Sequence, residues 1–90
     1  MSDEPVAPPK LQVQIDDDVS QGVYSNLVLL NHTENEFVLD FAFAQGQAGW
    51  LLARVILSPA HAKPFHQVLG ETIARHEERY GTIESGPVLQ

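Results

Sequence analysis

Residues 50–63, WLLARVILSPAHAK, mark the point at which the chain changes from a strand to a helix. Their first part is apolar on both alternating faces apart from Arg54, which is typical of a well-covered strand. Ser58 is a good N-cap, because its hydroxyl can accept a hydrogen bond from a free amide of the first turn. Pro59 suits the first helical position, where no amide proton is needed. The stretch therefore predicts a strand over residues 50–57 followed at once by a helix.

The predicted helix runs from Pro59 to Tyr80, and Gly81 supplies its stop. One side of it carries residues at spacings of three and four, as expected for a helix with a docking face. We call this set the helix stripe: His61, Phe65, Val68, Leu69, Thr72, Ile73, His76 and Tyr80. Pro64 has no amide hydrogen to donate to Ala60, so we expect a kink or a tightened first turn there.

The segments before residue 50 have the features of further strands. Residues 11–16 alternate apolar and polar side chains with period two, which predicts an edge strand. Residues 24–31 and 36–44 predict a hairpin with a short polar loop, in a register that places Asn31 opposite Glu36. A flexible connection over QGQAG then leads to the strand that precedes the helix.

These elements predict an α+β fold: an antiparallel β-meander of about four strands, followed by one long C-terminal helix packed on one sheet face. The single domain would span residues 11–81, between a proline-rich disordered tail over 1–10 and a loose tail over 82–90. The helix would cover the first face of the sheet, which carries Phe37, Leu39, Phe41 and Phe43.

One helix can shield only one face, so the second face of the sheet needs a partner. The residues predicted to form an interface there are Leu27, Leu29, Val38, Asp40, Leu52, Arg54 and Ile56. Arg54 is expected to lie across from Asp40, because an unpaired charge on such an apolar face is costly and a hydrogen-bonded pair is tolerable. Two interpretations remain open: a partly exposed cross-strand salt bridge, or a specificity element inside a subunit interface.

Composition excludes several classes of function. The 90-residue chain has 12 acidic and 5 basic residues, a formal charge of -7, and its basic residues are scattered, which disfavours nucleic acid. It has no cysteine for disulfides or thiolate metal sites. No apolar run reaches the roughly 20 residues of a membrane span, and a cytoplasmic location is the default expectation. Self-association is the remaining means of stabilising so small a domain.

No catalytic, metal or cofactor site is predicted. The acidic turn over residues 16–22 lacks the glycine and the glutamate of a calcium-binding EF-hand loop. His61 and His66 are five residues apart and so lie on different sides of a helix, which indicates core or interface histidines instead of ligands. Ser25 and Ser58 are the candidate nucleophiles, and neither has an evident base and orienting acid.

Three segments together resemble a known family. They are YSNL at 24–27, EFVLDF at 36–41 and RVILSPAHAK at 54–63. Over residues 11–81 the chain is similar to the short bacterial and archaeal proteins called domain of unknown function 3467. The resemblance implies no activity and no functional residues.

The sequence predicts a non-enzymatic protein–protein interaction or assembly module that acts as a homo-oligomer, with a dimer favoured. A sheet-on-sheet dimer or a helix exchanged between protomers would satisfy the pattern. The alternative is a chaperone-like or adaptor protein that binds an extended peptide on the sheet edge or apolar face. A small enzyme is the third possibility. The expected partners are a second copy or another protein, with no nucleic acid and no membrane.

Overall fold

The computed structural model describes residues 10–86, so the predicted tail over 1–10 lies outside the described part except for Lys10, and the predicted tail over 82–90 is described to residue 86. Three antiparallel strands form one sheet in the order β1-β2-β3, and a long helix follows them. The elements are α1 (Asp17–Ser20), β1 (Leu27–His32), β2 (Phe37–Gln45), β3 (Ala48–Leu57) and α2 (Pro59–Tyr80). The predicted α+β class and the long C-terminal helix are confirmed.

The sheet has three strands instead of the predicted four, because residues 11–16 do not join it. Alternation decides which side chains share a side, but a strand also needs a neighbouring edge that accepts its hydrogen bonds. Leu11 and Val13 are exposed, with no docked face. The acidic residues that follow begin α1, where carboxylates favour the first turn of a helix.

The first hairpin pairs β1 with β2 two residues away from the predicted register. His32 lies opposite Phe37, and the four-residue loop between them is closed by the Thr33 amide, which donates to the Glu36 carbonyl at 2.9 Å. The Thr33 hydroxyl accepts from the Asn35 amide at 3.2 Å. A shift of two keeps every side chain on its predicted face, because successive residues alternate.

The second hairpin is tighter than predicted. Gln45 lies opposite Ala48, so only Gly46 and Gln47 form the turn where a flexible connection was expected. Gly46 has a φ of +62°, which a two-residue hairpin with glycine at its first central position requires.

A β-bulge interrupts the pairing of β2 with β3. Phe41 lies opposite Ala53 and Ala42 opposite Leu51, so Leu52 is an extra residue on β3. A bulge bends its strand and increases the local twist. It also brings Leu51 opposite Ala42, on the second face of the sheet, where a regular strand would not place it.

Helix α2 has the predicted bounds, but its first turn differs in detail. The Ser58 carbonyl accepts from the amides of both His61 (3.0 Å) and Ala62 (2.9 Å). The predicted side-chain cap is absent, because the Ser58 hydroxyl instead lies 3.0 Å from Nδ1 of His61. The helix continues through Pro64.

Beyond α2 the chain turns sharply. Gly81 adopts a φ of +94°, and its amide donates to the Glu77 carbonyl at 2.8 Å. The Ile83 amide then donates to a carboxylate oxygen of Glu77 at 2.9 Å. Residues 81–86 form no helix or strand.

The predicted packing of α2 on the first face is not shown. The helix approaches β3, the strand that leads into it, but it has no buried residue. Among the described residues the buried side chains are those of Leu39, Asp40 and Ala42, all on β2. The part of the chain that the structure describes therefore forms very little core.

Candidate interaction surface

The helix stripe is open to solvent along its whole length. The exposed fractions of its large apolar residues are 43% for Phe65, 56% for Val68, 46% for Leu69, 43% for Ile73 and 68% for Tyr80. Helices in proteins are stabilised mainly by packing of their apolar face. Large exposed apolar patches are rare on monomers and mark sites of interaction.

An apolar groove lies between the first half of α2 and the first face of the sheet. Its volume is about 330 Å³. We call it the helix–sheet groove; its lining residues are Leu30, Phe37, Leu39 and Leu57 from the strands and Ala62, Phe65, His66 and Leu69 from the helix. Phe65 and Leu69 belong to both the groove and the helix stripe, so the two features form one continuous surface.

Aromatic side chains cover the other end of the first face. The Phe43 ring lies 6.3 Å from that of Tyr24 in an edge arrangement and 6.4 Å from that of Trp50 in a stacked one. Phe43 is half-buried between them, whereas Tyr24 and Trp50 are exposed. Beside α2, by contrast, Leu39 of the same face is buried and Phe37 is half-buried.

The second face carries the predicted ion pair. Asp40 lies opposite Arg54, and the guanidinium Nε and Nη2 donate to the two carboxylate oxygens at 2.7 and 3.0 Å. Two parallel charge-assisted bonds of this kind fix geometry as well as adding attraction. Asp40 is only 7% exposed, but the Arg54 side chain is 57% exposed. In the single chain the pair is a partly exposed cross-strand salt bridge.

The ion pair shifts the pKa values of both Asp40 and Arg54. Hydrogen bonds from Arg54 hold the pKa of the Asp40 carboxyl below its ordinary value of 3.8. The same bonds raise the pKa of Arg54 above its ordinary value. Both groups are therefore charged across the neutral range, as in a structural ion pair.

Asp40 is expected to stabilise the fold at neutral pH and to lose that effect in acid. Because its folded-state pKa lies below 3.8, the stabilisation is complete above that pH and is lost as the pH falls through the lowered pKa. Denaturant unfolding at fixed protein concentration should therefore show a difference between wild type and Asp40→Asn that shrinks below about pH 4. Asp18→Asn removes an exposed carboxylate as the control. An undiminished Asp40→Asn difference in strong acid would contradict a charge effect.

The seven residues predicted for an interface on the second face differ in exposure. Leu27, Leu29 and Val38 are half-buried within the chain. Leu52 and Ile56, both on β3, are 39% and 55% exposed. The open apolar area of this face is thus concentrated on β3, and the interface role of the seven residues stays a prediction.

Sequence reasoning missed Leu51, which is 54% exposed and joins the second face at the bulge. The apolar run WLLARVIL shows that both faces of β3 are hydrophobic. It carries no signal for which residue is the extra one, because a bulge depends on the paired strand.

The candidate nucleophiles have structural partners. The Ser25 hydroxyl shares its one hydrogen between the carbonyls of Leu27 (3.0 Å) and Ala42 (2.9 Å) and so ties β1 to β2. Ser58 contacts His61, but within residues 10–86 no carboxylate is hydrogen-bonded to that histidine. The same residues contain no group of three or more His, Cys, Asp or Glu that could hold a metal ion. None of their helices is long and apolar enough to cross a membrane.

The fold and its surfaces define a small α+β protein whose long helix and outer strand have apolar sides that residues 10–86 leave open. The family model described as Protein of unknown function (DUF3467) matches residues 1–85, so the chain belongs to that family. No curated protein and no solved structure matched the chain. The predicted family is confirmed.

Proposed function

We propose that the protein is a non-enzymatic assembly module that works as a homodimer, in which each copy covers the helix stripe and the helix–sheet groove of the other. The observation that carries the proposal is the contrast between the helix and the core. A helix of 22 residues exposes its whole apolar side, whereas Leu39 and Ala42 are the buried hydrophobic residues among those described.

Energetics favour a covered helix. Ordering each residue costs about 1–2 kcal/mol of backbone entropy, and burial of apolar surface is the main term that offsets it, at about 25 cal/mol per Å². The described chain makes few such burials. A partner that covers the helix stripe would therefore contribute stability that the single chain lacks.

A second copy is the partner that the surface itself supplies. Every copy carries both the stripe and the groove, and a two-fold axis can place the stripe of each chain against the groove of the other. Closed two-fold dimers are the commonest soluble oligomers. Leu69 and Phe65 lie at the junction of stripe and groove and so form the centre of the contact.

The negative charge of the chain lies away from the surface proposed for this contact. The formal charge is -7, but the helix stripe contains no Asp or Glu. Glu71 and Glu78 of α2 lie outside the stripe, and surface charges at longer range are screened over about 8 Å at physiological ionic strength. Repulsion between two acidic copies is therefore weak where their apolar surfaces meet.

The expected result in solution is a particle of twice the chain mass of 10.0 kDa. Size-exclusion chromatography with light scattering at micromolar concentration tests it. A mass equal to that of one chain would contradict the proposed function.

A further inference from the structure

Strand β3 is an edge strand with the composition of a central one. It has 10 residues and pairs with β2 on one side, and no described segment pairs with its other side. Natural edge strands are usually short or carry charges and prolines that block further pairing. The one charge on β3, Arg54, is held by Asp40 of the neighbouring strand.

Apolar side chains are exposed on both faces of β3. Trp50 and Val55 are 54% and 42% exposed on the first face, and Leu51 and Ile56 are 54% and 55% exposed on the second. The opposite edge strand, β1, is shorter at six residues and ends in the polar Asn31 and His32. An open strand like β3 is a ready template for another strand.

We propose that β3 pairs antiparallel with β3 of a second copy, about a two-fold axis perpendicular to the sheet, so that two three-stranded sheets become one continuous sheet. This rests on the homodimer proposed above and adds the way in which it is built. A perpendicular two-fold axis keeps each face on its own side. Both α2 helices therefore lie on the same face, each starting directly after β3.

The two-fold axis would then bring both exposed features of the chain, the free edge of β3 and the helix stripe, against the second copy. A stable interface needs about 800 Å² from each partner, which one pair of strands does not supply alone. The helix stripe adds the remaining apolar area when each helix meets the other copy. A foreign peptide on β3 would cover the edge but leave the helix stripe exposed, so a second copy fits the surface better.

The symmetry makes a sharp geometric prediction. In this pairing one residue of β3 lies directly opposite its own copy, with Cα atoms about 4.5–5.5 Å apart. A disulfide needs a Cα separation of about 4.4–6.8 Å. The residue on either side of that position is offset from its own copy by about two residue rises along the strand. The Cα atoms of such a residue and its copy therefore lie about 8 Å apart. Cross-linking between identical positions should therefore peak at a single residue.

The test is a scan of single cysteines. The chain has no native cysteine, so every cross-link must form at the introduced position. One cysteine is placed in turn at each position from 50 to 57, and at Val28 and Leu30 of β1 as controls. Light scattering under reducing conditions shows which variants are still dimers. Oxidation is then followed on non-reducing gels. One position on β3 should cross-link at least about tenfold faster than its neighbours, and the β1 controls should not cross-link.

The outcomes separate this inference from the proposed function. A dimer by scattering with uniformly weak cross-linking across 50–57 overturns the β3 pairing and leaves the homodimer standing. Fast cross-linking at the β1 controls, or at several second-face positions at once as in stacked sheets, overturns it too. Monomeric wild-type protein, including a monomer that binds an extended peptide along β3, overturns both.

Discussion

Glutamate in place of Leu69 or Ile73 is expected to convert the dimer to monomers. In the single chain these side chains are 46% and 43% exposed, so a charge there costs the isolated fold little. In the dimer the same charge would be buried without a partner. Loss of a central interface residue typically costs about 2 kcal/mol or more, so the dissociation constant should rise at least about 30-fold.

Sedimentation equilibrium over a range of concentrations measures this change, and circular dichroism reports whether α2 survives in the monomer. Ala74→Glu is the matched control, because it adds the same charge on the opposite side of the helix, where the chain is also exposed. A dimer that withstands Leu69→Glu would show that the helix stripe is not the interface. An equal effect of Ala74→Glu would point to net charge instead.

The thermal midpoint is expected to depend strongly on protein concentration. When folding and dimerisation are coupled, each tenfold dilution removes about 1.4 kcal/mol from the stability of the folded dimer. For a folding unit of two such chains, about 2–4 °C per kcal/mol gives a fall in Tm of roughly 3–6 °C per tenfold dilution. Calorimetry or circular dichroism melts over a 100-fold concentration range measure it.

The Leu69→Glu variant is a useful comparison for those melts. It should unfold at a lower temperature than wild type and show no dependence on concentration, because its folded form is a single chain. A wild-type Tm that stays constant over the same range would mean that the chain is stable alone despite its small core. The coupling of folding to assembly would then be excluded.

Helix α2 was the most predictable element of the fold. Its bounds were predicted from Ser58, Pro59 and Gly81, and Pro59 and Gly81 act at the two ends as predicted. The details of the cap were less predictable, because His61 competes for the Ser58 hydroxyl. Local chemistry thus decides where a helix begins, and neighbouring side chains decide whether the capping residue forms a hydrogen bond with the helix.

The sheet was predictable in its faces but not in its edges. Alternation placed Asp40 opposite Arg54 correctly, and the faces survived a two-residue error in the first hairpin. The bulge at Leu52 and the absence of residues 11–16 from the sheet were not foreseen. Both depend on how a second strand supplies hydrogen bonds, which a single segment does not reveal.

The sequence by itself determined the apolar stripe of α2, the alternating faces of the strands and the junction at Ser58 and Pro59. These features arise from side-chain spacing and backbone preferences within a few residues. Only the tertiary structure decided that α2 leaves its stripe open and that β3 is an outer strand. Burial depends on the distances between elements that are far apart in the chain, and so the candidate interface became visible only in three dimensions.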